Sequence, residues 1–268
     1  MNIHIPYGKA ELTLALPQER VAAVLESKAH GYQEEASETE LVRRAMAAPV
    51  GTPRLQELVR GKKNIVIIVS DHTRPVPTQV IAPLLLAEIE AGNPQAQVTF
   101  LVATGLHRGT TEEELREKFG PDLYGKVRIV VHDCWDKDSL VQLEKLPSGG
   151  ELWLNKVAAE ADLLLAEGFI EPHLFAGFFF GRKSVLPGIV GDSTIRVNHC
   201  AEHIAHKKAR VGILEGNPIH EDMVHAARQA KLAYIVNVVI DAQKKVIGAF
   251  AGDVEQAHLQ GCAFLQEL

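Results

Sequence analysis

The chain of 268 residues is informative first for what it contains little of. It has 3 cysteines, too few for a disulfide framework, and its apolar runs are far shorter than a membrane span. It has no block of basic residues, and its formal net charge is -6. The first residues alternate in polarity and do not form the apolar centre of a signal peptide. We therefore expect a cytoplasmic protein that binds neither nucleic acid nor membrane.

The hydrophobic content of 46% is enough for a sizeable core, and its distribution indicates the fold class. Short, almost continuous apolar runs alternate with helical segments, a pattern typical of a largely parallel sheet covered by helices on both faces. We predict a Rossmann-like α/β fold in which residues 1–268 form a single domain. The four predicted parallel strands lie in NIVIIVS, AQVTFLVA, KVRIVVHD and ADLLLAEGF.

The other predicted elements surround this repeated unit. Residues 2–5 and 10–15 indicate a β-hairpin around Tyr7-Gly8-Lys9, and a charged helix is expected at 38–48. Residues 139–155 indicate an inserted hairpin around Pro147-Ser148-Gly149-Gly150. A final helix–strand–strand–helix unit is expected from residue 217 to the end of the sequence.

Polar residues follow each predicted parallel strand. In open α/β sheets, ligands bind beyond the carboxyl ends of the strands. Several histidines at one rim are harder to explain as ordinary surface residues than a single one, so we predict a functional site there. The residues concerned are Asp71-His72-Thr73-Arg74, Thr104-Gly105-Leu106-His107-Arg108, His132-Asp133 and Glu171-Pro172-His173.

The segment FAGFFFGRKSVLPG at 175–188 is rich in aromatic residues, although the whole chain contains only 6%. It superficially resembles the phosphate-binding pattern G-x-x-x-x-G-K-S/T. Arg182 occupies the position of the second glycine, and phenylalanines fill the interior. Bulky residues resist the backbone conformations that a phosphate cradle requires, so we reject a nucleoside triphosphatase. No G-x-G-x-x-G pattern follows a strand either.

Two further patterns leave alternatives open. His199, Glu202 and His203 match H-x-x-E-H, and histidines four residues apart on one helix could bind zinc, as in a hydrolase. Arg74 could bond loop carbonyls, but beside Asp71 and Thr73 it also suits a phosphate or carboxylate with a ribose.

Four segments taken together resemble one family. SDHTRPVP, ATGLHR, EGFIEPHLFAGF with GRKSVLPGI, and NH at 198–199 occur in order over about residues 60–200. They resemble the nickel-pincer-nucleotide-dependent lactate racemases and related 2-hydroxyacid racemases and epimerases. The resemblance implies a cofactor-binding α/β domain, nickel, and a pyridinium-3-thioamide-5-thiocarboxylic acid mononucleotide. Cofactor-biosynthesis proteins are the implied partners.

The resemblance also implies a role for each matching residue. Lys183 would attach the mononucleotide covalently and His199 would bind its nickel. His107 and His173 would act as general acid and base on a small 2-hydroxyacid while the cofactor removes its α-hydrogen as hydride. Asp71, Thr73 and Arg74 would contact the cofactor and its surroundings, with Arg74 also placed among the catalytic residues.

The chain departs from the family pattern in two respects. A second, C-terminal domain that closes over the site is usual in the family and is expected to be missing here, so this chain alone is expected to be inactive. The family generally has small residues where this chain has Phe179 and Phe180, which we expect to narrow the pocket, to favour a different substrate or to pack against the missing domain. A domain on the same fold that binds a nucleotide or lacks the cofactor, without activity of its own, remains the alternative.

Overall fold

The computed structural model describes residues 1–8, 10–25 and 27–268. Lys9, at the tip of the predicted first hairpin, lies outside the described residues, but the two strands of that hairpin are present. The strands are β1 (Asn2–Tyr7), β2 (Ala10–Ala15), β3 (Asn64–Ser70), β4 (Gln97–Ala103), β5 (Arg128–Val131), β6 (Leu140–Gln142), β7 (Trp153–Asn155), β8 (Leu163–Phe169), β9 (Pro172–His173), β10 (Gly177–Phe178), β11 (Leu232–Ile240) and β12 (Val246–Gly252).

The helices begin where the sequence supplies capping side chains. Thr111 and Glu114 form a capping box at the start of α4, and Asn217 accepts two backbone N–H groups at the start of α8. The helices are α1 (Glu38–Ala47), α2 (Leu55–Leu58), α3 (Thr78–Gly92), α4 (Glu112–Leu123), α5 (Lys156–Ala159), α6 (Asp192–Asn198), α7 (Ala201–Ala205), α8 (Pro218–Gln229) and α9 (Gln256–Glu267). None of the helices in the described ranges is long and apolar enough to cross a membrane.

In the described part of the chain, the central sheet has six strands in the order β12-β11-β8-β3-β4-β5. The pairs β11–β8, β8–β3, β3–β4 and β4–β5 are parallel, and β12 adds an antiparallel edge. Apolar side chains fill both faces, because one core cluster contains Ile65, Ile67 and Val69 of β3 and another contains Val66 and Ile68. The predicted α/β fold with a largely parallel sheet is confirmed.

The order of the strands fixes where a ligand can bind. The chain runs from β3 to β4 and β5 on one side, then returns to β8 on the other side of β3. The connections therefore leave β3 and β8 in opposite directions and open a crevice at their carboxyl ends. The loops that begin at Asp71 and Ile170 lie at this edge.

Candidate functional site

A cavity of ≈ 240 Å³ lies beyond the carboxyl ends of β3 and β4. It collects residues from three of the four strand-end loops predicted from the sequence, from the 3-10 turn Gly181–Ser184 and from the end of α6. Of the predicted site residues, those lining the cavity are Asp71, Arg74, His107, His173, Lys183 and His199. Thr73 is absent from the lining, and its hydroxyl oxygen lies 2.7 Å from Oδ1 of Asp71 and 3.4 Å from Nδ1 of His107.

His107 is oriented by a buried carboxylate. Its Nδ1 lies 2.6 Å from Oδ2 of Asp71, whose side chain is 2% exposed. The other oxygen, Oδ1, accepts from the hydroxyl of Thr73 at 2.7 Å. Since a carboxylate can only accept, Nδ1 of the neutral ring carries the proton and Nε2 is left as the acceptor. The arrangement suits a general base whose ring is held in one tautomer.

His173 is held in the opposite tautomer. Its Nδ1 accepts from the backbone N–H groups of Phe175 at 3.3 Å and Ala176 at 3.1 Å. The proton of the neutral ring is therefore on Nε2, which lies 3.3 Å from Nζ of Lys183. Burial, and then the charge of Lys183, lower the pKa of His173 to about 3. The ring is thus neutral at ordinary pH and offers an N–H donor to the cavity.

Lys183 projects from a turn that a neighbouring arginine fixes. Arg182 is 1% exposed and donates to the carbonyls of Ala176 at 2.7 Å and Phe180 at 3.1 Å. The turn begins after Phe180, which has a left-handed φ of 55°. Burial, followed by the charge of Arg182, lowers the pKa of Lys183 to about 7. A large fraction of Lys183 is therefore the free amine, the nucleophilic form, at neutral pH.

Arg74 and Lys183 share one aromatic neighbour. The guanidinium carbon of Arg74 lies 5.0 Å from the ring centroid of Phe179, and Nζ of Lys183 lies 5.5 Å from it. The ring also lies 4.4 Å from that of His173, centroid to centroid. Phe179 therefore narrows the pocket, as expected from the sequence. Phe180 also lines the cavity, and it packs into the core against Phe169 at 5.1 Å.

His199 is placed differently from the zinc pattern. α6 ends at Asn198 and α7 begins only at Ala201, so His199 and His203 do not share a helix face. The predicted H-x-x-E-H arrangement on one helix is wrong, and the described residues contain no cluster of three or more His, Cys, Asp or Glu that could hold a metal ion. Of the residues in this pattern, His199 lines the cavity and Glu202 and His203 do not. Burial lowers the pKa of His199 to about 4.

Two histidines of the strand-end pattern lie outside the cavity lining. His132 is 1% exposed, and its Nε2 lies 3.1 Å from the carbonyl of Val190 while its Nδ1 accepts from Asn155 at 3.0 Å. It therefore joins the core. His72 faces a second groove with Lys118 and Glu114. The local density of aromatic residues at 175–180 was the sequence signal for the contribution of Phe179 to the cavity wall.

The lining residues fit a lysine-tethered metal nucleotide. Nδ1 of His199 is buried and has no hydrogen-bond partner among the residues the structure describes, and a neutral imidazole is the form that binds metal. A free amine, Lys183, lines the same cavity. A single histidine ligand is sufficient where the organic group supplies the other donors.

The fold and cavity define an open α/β domain with a cavity at its switch point. The family described as lactate racemase N-terminal domain matches residues 7–212. The chain therefore belongs to the lactate racemase N-terminal domain family, as the sequence motifs indicated.

Two curated relatives are similar over nearly the whole chain. A lactate racemase from Thermoanaerobacterium thermosaccharolyticum is 55% identical over 100% of this chain, and one from Lactiplantibacillus plantarum is 53% identical over 99%. The chain spans 63% of the length of each.

The solved structures show the same relationship. The lactate racemase apoprotein from T. thermosaccharolyticum superimposes with a TM-score of 0.90 and 55% identity, over 98% of this chain and 62% of that one. A Thermotoga maritima protein superimposes with a TM-score of 0.71 at 20% identity, over 88% of this chain and 61% of that one, which shows a shared fold.

Proposed function

We propose that this chain is the cofactor-binding part of a racemase or epimerase that acts on a small 2-hydroxyacid. The observation that carries the proposal is the convergence of two differently protonated histidines, a guanidinium and a free amine on one cavity. Its relatives at 55% and 53% identity, both lactate racemases, support the same class of substrate.

Lys183 would hold the pyridinium mononucleotide covalently, and His199 would provide an imidazole nitrogen to its nickel. The bound group would supply a reversible acceptor for the hydride of the substrate's α-carbon. Attachment would also prevent Lys183 from carrying a positive charge. Because that charge is the second cause of the low pKa of His173, the pKa would rise, although the first cause, burial, remains.

The residues of this chain would bind the substrate and move its hydroxyl proton. Arg74 would donate two parallel N–H hydrogen bonds to the carboxylate, in the bidentate geometry that guanidinium favours. Nε2 of His107 would take the hydroxyl proton, and His173, protonated once its pKa has risen, would supply a proton when the oxygen is protonated again. Exchange of these roles would allow either enantiomer to react.

A closing domain is part of the proposal. The His107 side chain is 46% exposed, so water would reach the reacting atoms unless further protein covered that side. Domain closure would also desolvate Arg74 and strengthen its contact with the carboxylate. Cofactor-biosynthesis proteins would deliver the nucleotide to Lys183.

The test is racemisation by the cofactor-loaded chain, joined to the remaining part that its relatives contain. Either enantiomer of lactate should be converted to a mixture of both, as followed by chiral chromatography. His107→Asn and His173→Asn should each stop the conversion while the loaded mass is retained. A loaded protein that converts neither lactate nor other small 2-hydroxyacids would contradict the proposal and favour a nucleotide-binding domain without activity.

A further inference from the structure

The amine of Lys183 and the guanidinium of Arg74 lie over the same phenylalanine ring, at 5.5 Å and 5.0 Å from its centroid. We propose that Lys183, before any nucleotide is attached, condenses with small 2-oxoacids to form an imine, with the acid's carboxylate bound by Arg74. The reaction needs neither nickel nor the nucleotide. It goes beyond the proposed racemase function and makes the unloaded cavity a carbonyl-binding site.

The hydrogen bonds at His173 favour the uncharged form of Lys183. Nδ1 of His173 faces two backbone N–H groups, so the ring proton is on Nε2, 3.3 Å from Nζ of Lys183. An ammonium group there would place one N–H against another, whereas a free amine accepts the Nε2 proton through its lone pair. Burial and the charges of Arg182 and Arg74 act in the same direction. A desolvated lysine beside another cation is a recognised form of activated amine.

Arg74 supplies the selectivity for acids. The charge of Arg74 opposes the rise in the pKa of Glu171 that burial causes, but none of the ion pairs among the described residues includes Arg74. A bound 2-oxoacid would satisfy this charge with its carboxylate, and its carbonyl carbon is the atom adjacent to that carboxylate. The cavity of ≈ 240 Å³ and the ring of Phe179 favour a short side chain.

The condensation balances without an oxidant or reductant. The lone pair of Nζ attacks the carbonyl carbon, and the C=O π electrons move to oxygen, which takes one proton from the nitrogen and becomes a hydroxyl group. His173 stabilises the departing hydroxyl with a hydrogen bond from its Nε2–H, and the second proton of the nitrogen reaches that oxygen through solvent. The carbonyl oxygen and the two amine hydrogens leave as one water molecule, and the C=N bond remains. A 2-oxoacid bound in this way would compete with attachment of the nucleotide.

The experiment uses the unloaded chain, produced without added nickel or cofactor-making proteins. The chain is incubated with pyruvate and sodium borohydride, then analysed by intact mass and peptide mapping. One N-(1-carboxyethyl) group should appear, at Lys183. Lys118 is the matched control, because burial lowers its pKa too. Its Nζ donates a hydrogen bond to the hydroxyl oxygen of Ser70 at 2.7 Å, and Lys118 lies outside the cavity lining. Lys118 should remain unmodified.

Variants separate the two parts of the site. Lys183→Arg should abolish the specific adduct, and Arg74→Met should reduce its yield at limiting pyruvate about tenfold, since a charge-assisted bond is lost. Arg74→Lys should retain part of the yield. A retained yield also shows that a substitution at this position leaves the fold intact. Acetone, which has no carboxylate, should label poorly. No adduct, labelling spread over surface lysines, or equal labelling of Arg74→Met would overturn the proposal and leave the racemase proposal untouched.

Discussion

Nδ1 of His107 lies 2.6 Å from Oδ2 of Asp71, and the two side chains differ sharply in exposure, at 46% and 2%. The carboxylate is fixed within the fold, while the imidazole reaches into the cavity. The hydroxyl of Thr73 donates a hydrogen bond to the other carboxylate oxygen of Asp71. The pair therefore fixes both the tautomer and the direction of the base.

Asp71→Asn should lower racemisation by the complete, loaded protein by roughly 10²–10⁴-fold, because an amide can donate to Nδ1 and select the wrong tautomer. The measurement is kcat for lactate. Thr73→Val is the control, since it removes one contact to Asp71 but leaves the His107 bond, and its effect should be much smaller. Unchanged kcat in Asp71→Asn would exclude His107 as a base oriented in this way.

Phe179→Ala should change substrate choice more than it changes stability. The ring is partly exposed and fills space beside His173, Arg74 and Lys183. Its removal should improve kcat/KM for longer 2-hydroxyacids relative to lactate by about 10–200-fold, the range found for a methylene or more of pocket space. Competition between lactate and a longer 2-hydroxyacid measures the ratio. An unchanged ratio would place substrate selection elsewhere.

Gly168→Ala should destabilise the protein by about 1–3 kcal/mol, because the new methyl group would meet the ring of Phe180. The ring adjoins the turn that carries Lys183, so displacement should also slow cofactor attachment. Gly109→Ala is the matched control, since nothing lies near its Cβ position. Denaturant unfolding measures both variants. Equal stability of Gly168→Ala and the wild type would mean that Phe180 is loosely packed.

Stability should fall as the pH falls from about 6.5 towards 4. The pKa of His220 is lowered to about 3, first by burial and then by the charge of Arg182, and the pKa values of His173 and His199 are lowered as well. In this window the unfolded chain binds protons that the folded chain does not, so acid favours unfolding. Glu167 has the opposite effect on stability. Burial raises its pKa to about 7, so the stability that it contributes to the folded protein falls as pH rises through 4.5–7.

His220→Phe tests this dependence away from the proposed catalytic residues. Its unfolding free energy should vary less steeply between pH 6.5 and 4 than that of the wild type. His4→Phe, a change at a histidine with 62% exposure on β1, should leave the slope as it is. A slope that His220→Phe does not alter would show that His220 is protonated in the folded state.

The strand ends were predictable because they depend on short-range pattern. Apolar runs located β3, β4, β5 and β8, and the edge rule then placed Asp71, His107 and His173 together. Lys183 and His199 came from the family motifs, and the structure brings both to the same cavity.

What the sequence could not supply depends on distant partners. The helix before His199 ends where Asn198 donates to Asp222 at 3.2 Å, across 24 residues of sequence. His132 joins the core because Asn155 and Val190 reach it, 23 and 58 residues away. Local spacing contains no signal for such bonds, so the sequence could show neither the break in the helix at His199 nor the burial of His132 in the core.

The most direct test of the central proposal is the mass of the Lys183 peptide after the chain is produced with nickel and the cofactor-making proteins. The proposal predicts one added mononucleotide, mapped to Lys183 and absent from Lys183→Arg. His199→Ala should retain the organic group and lose nickel. An unmodified Lys183 under conditions that load the T. thermosaccharolyticum relative would contradict a tethered cofactor in this chain.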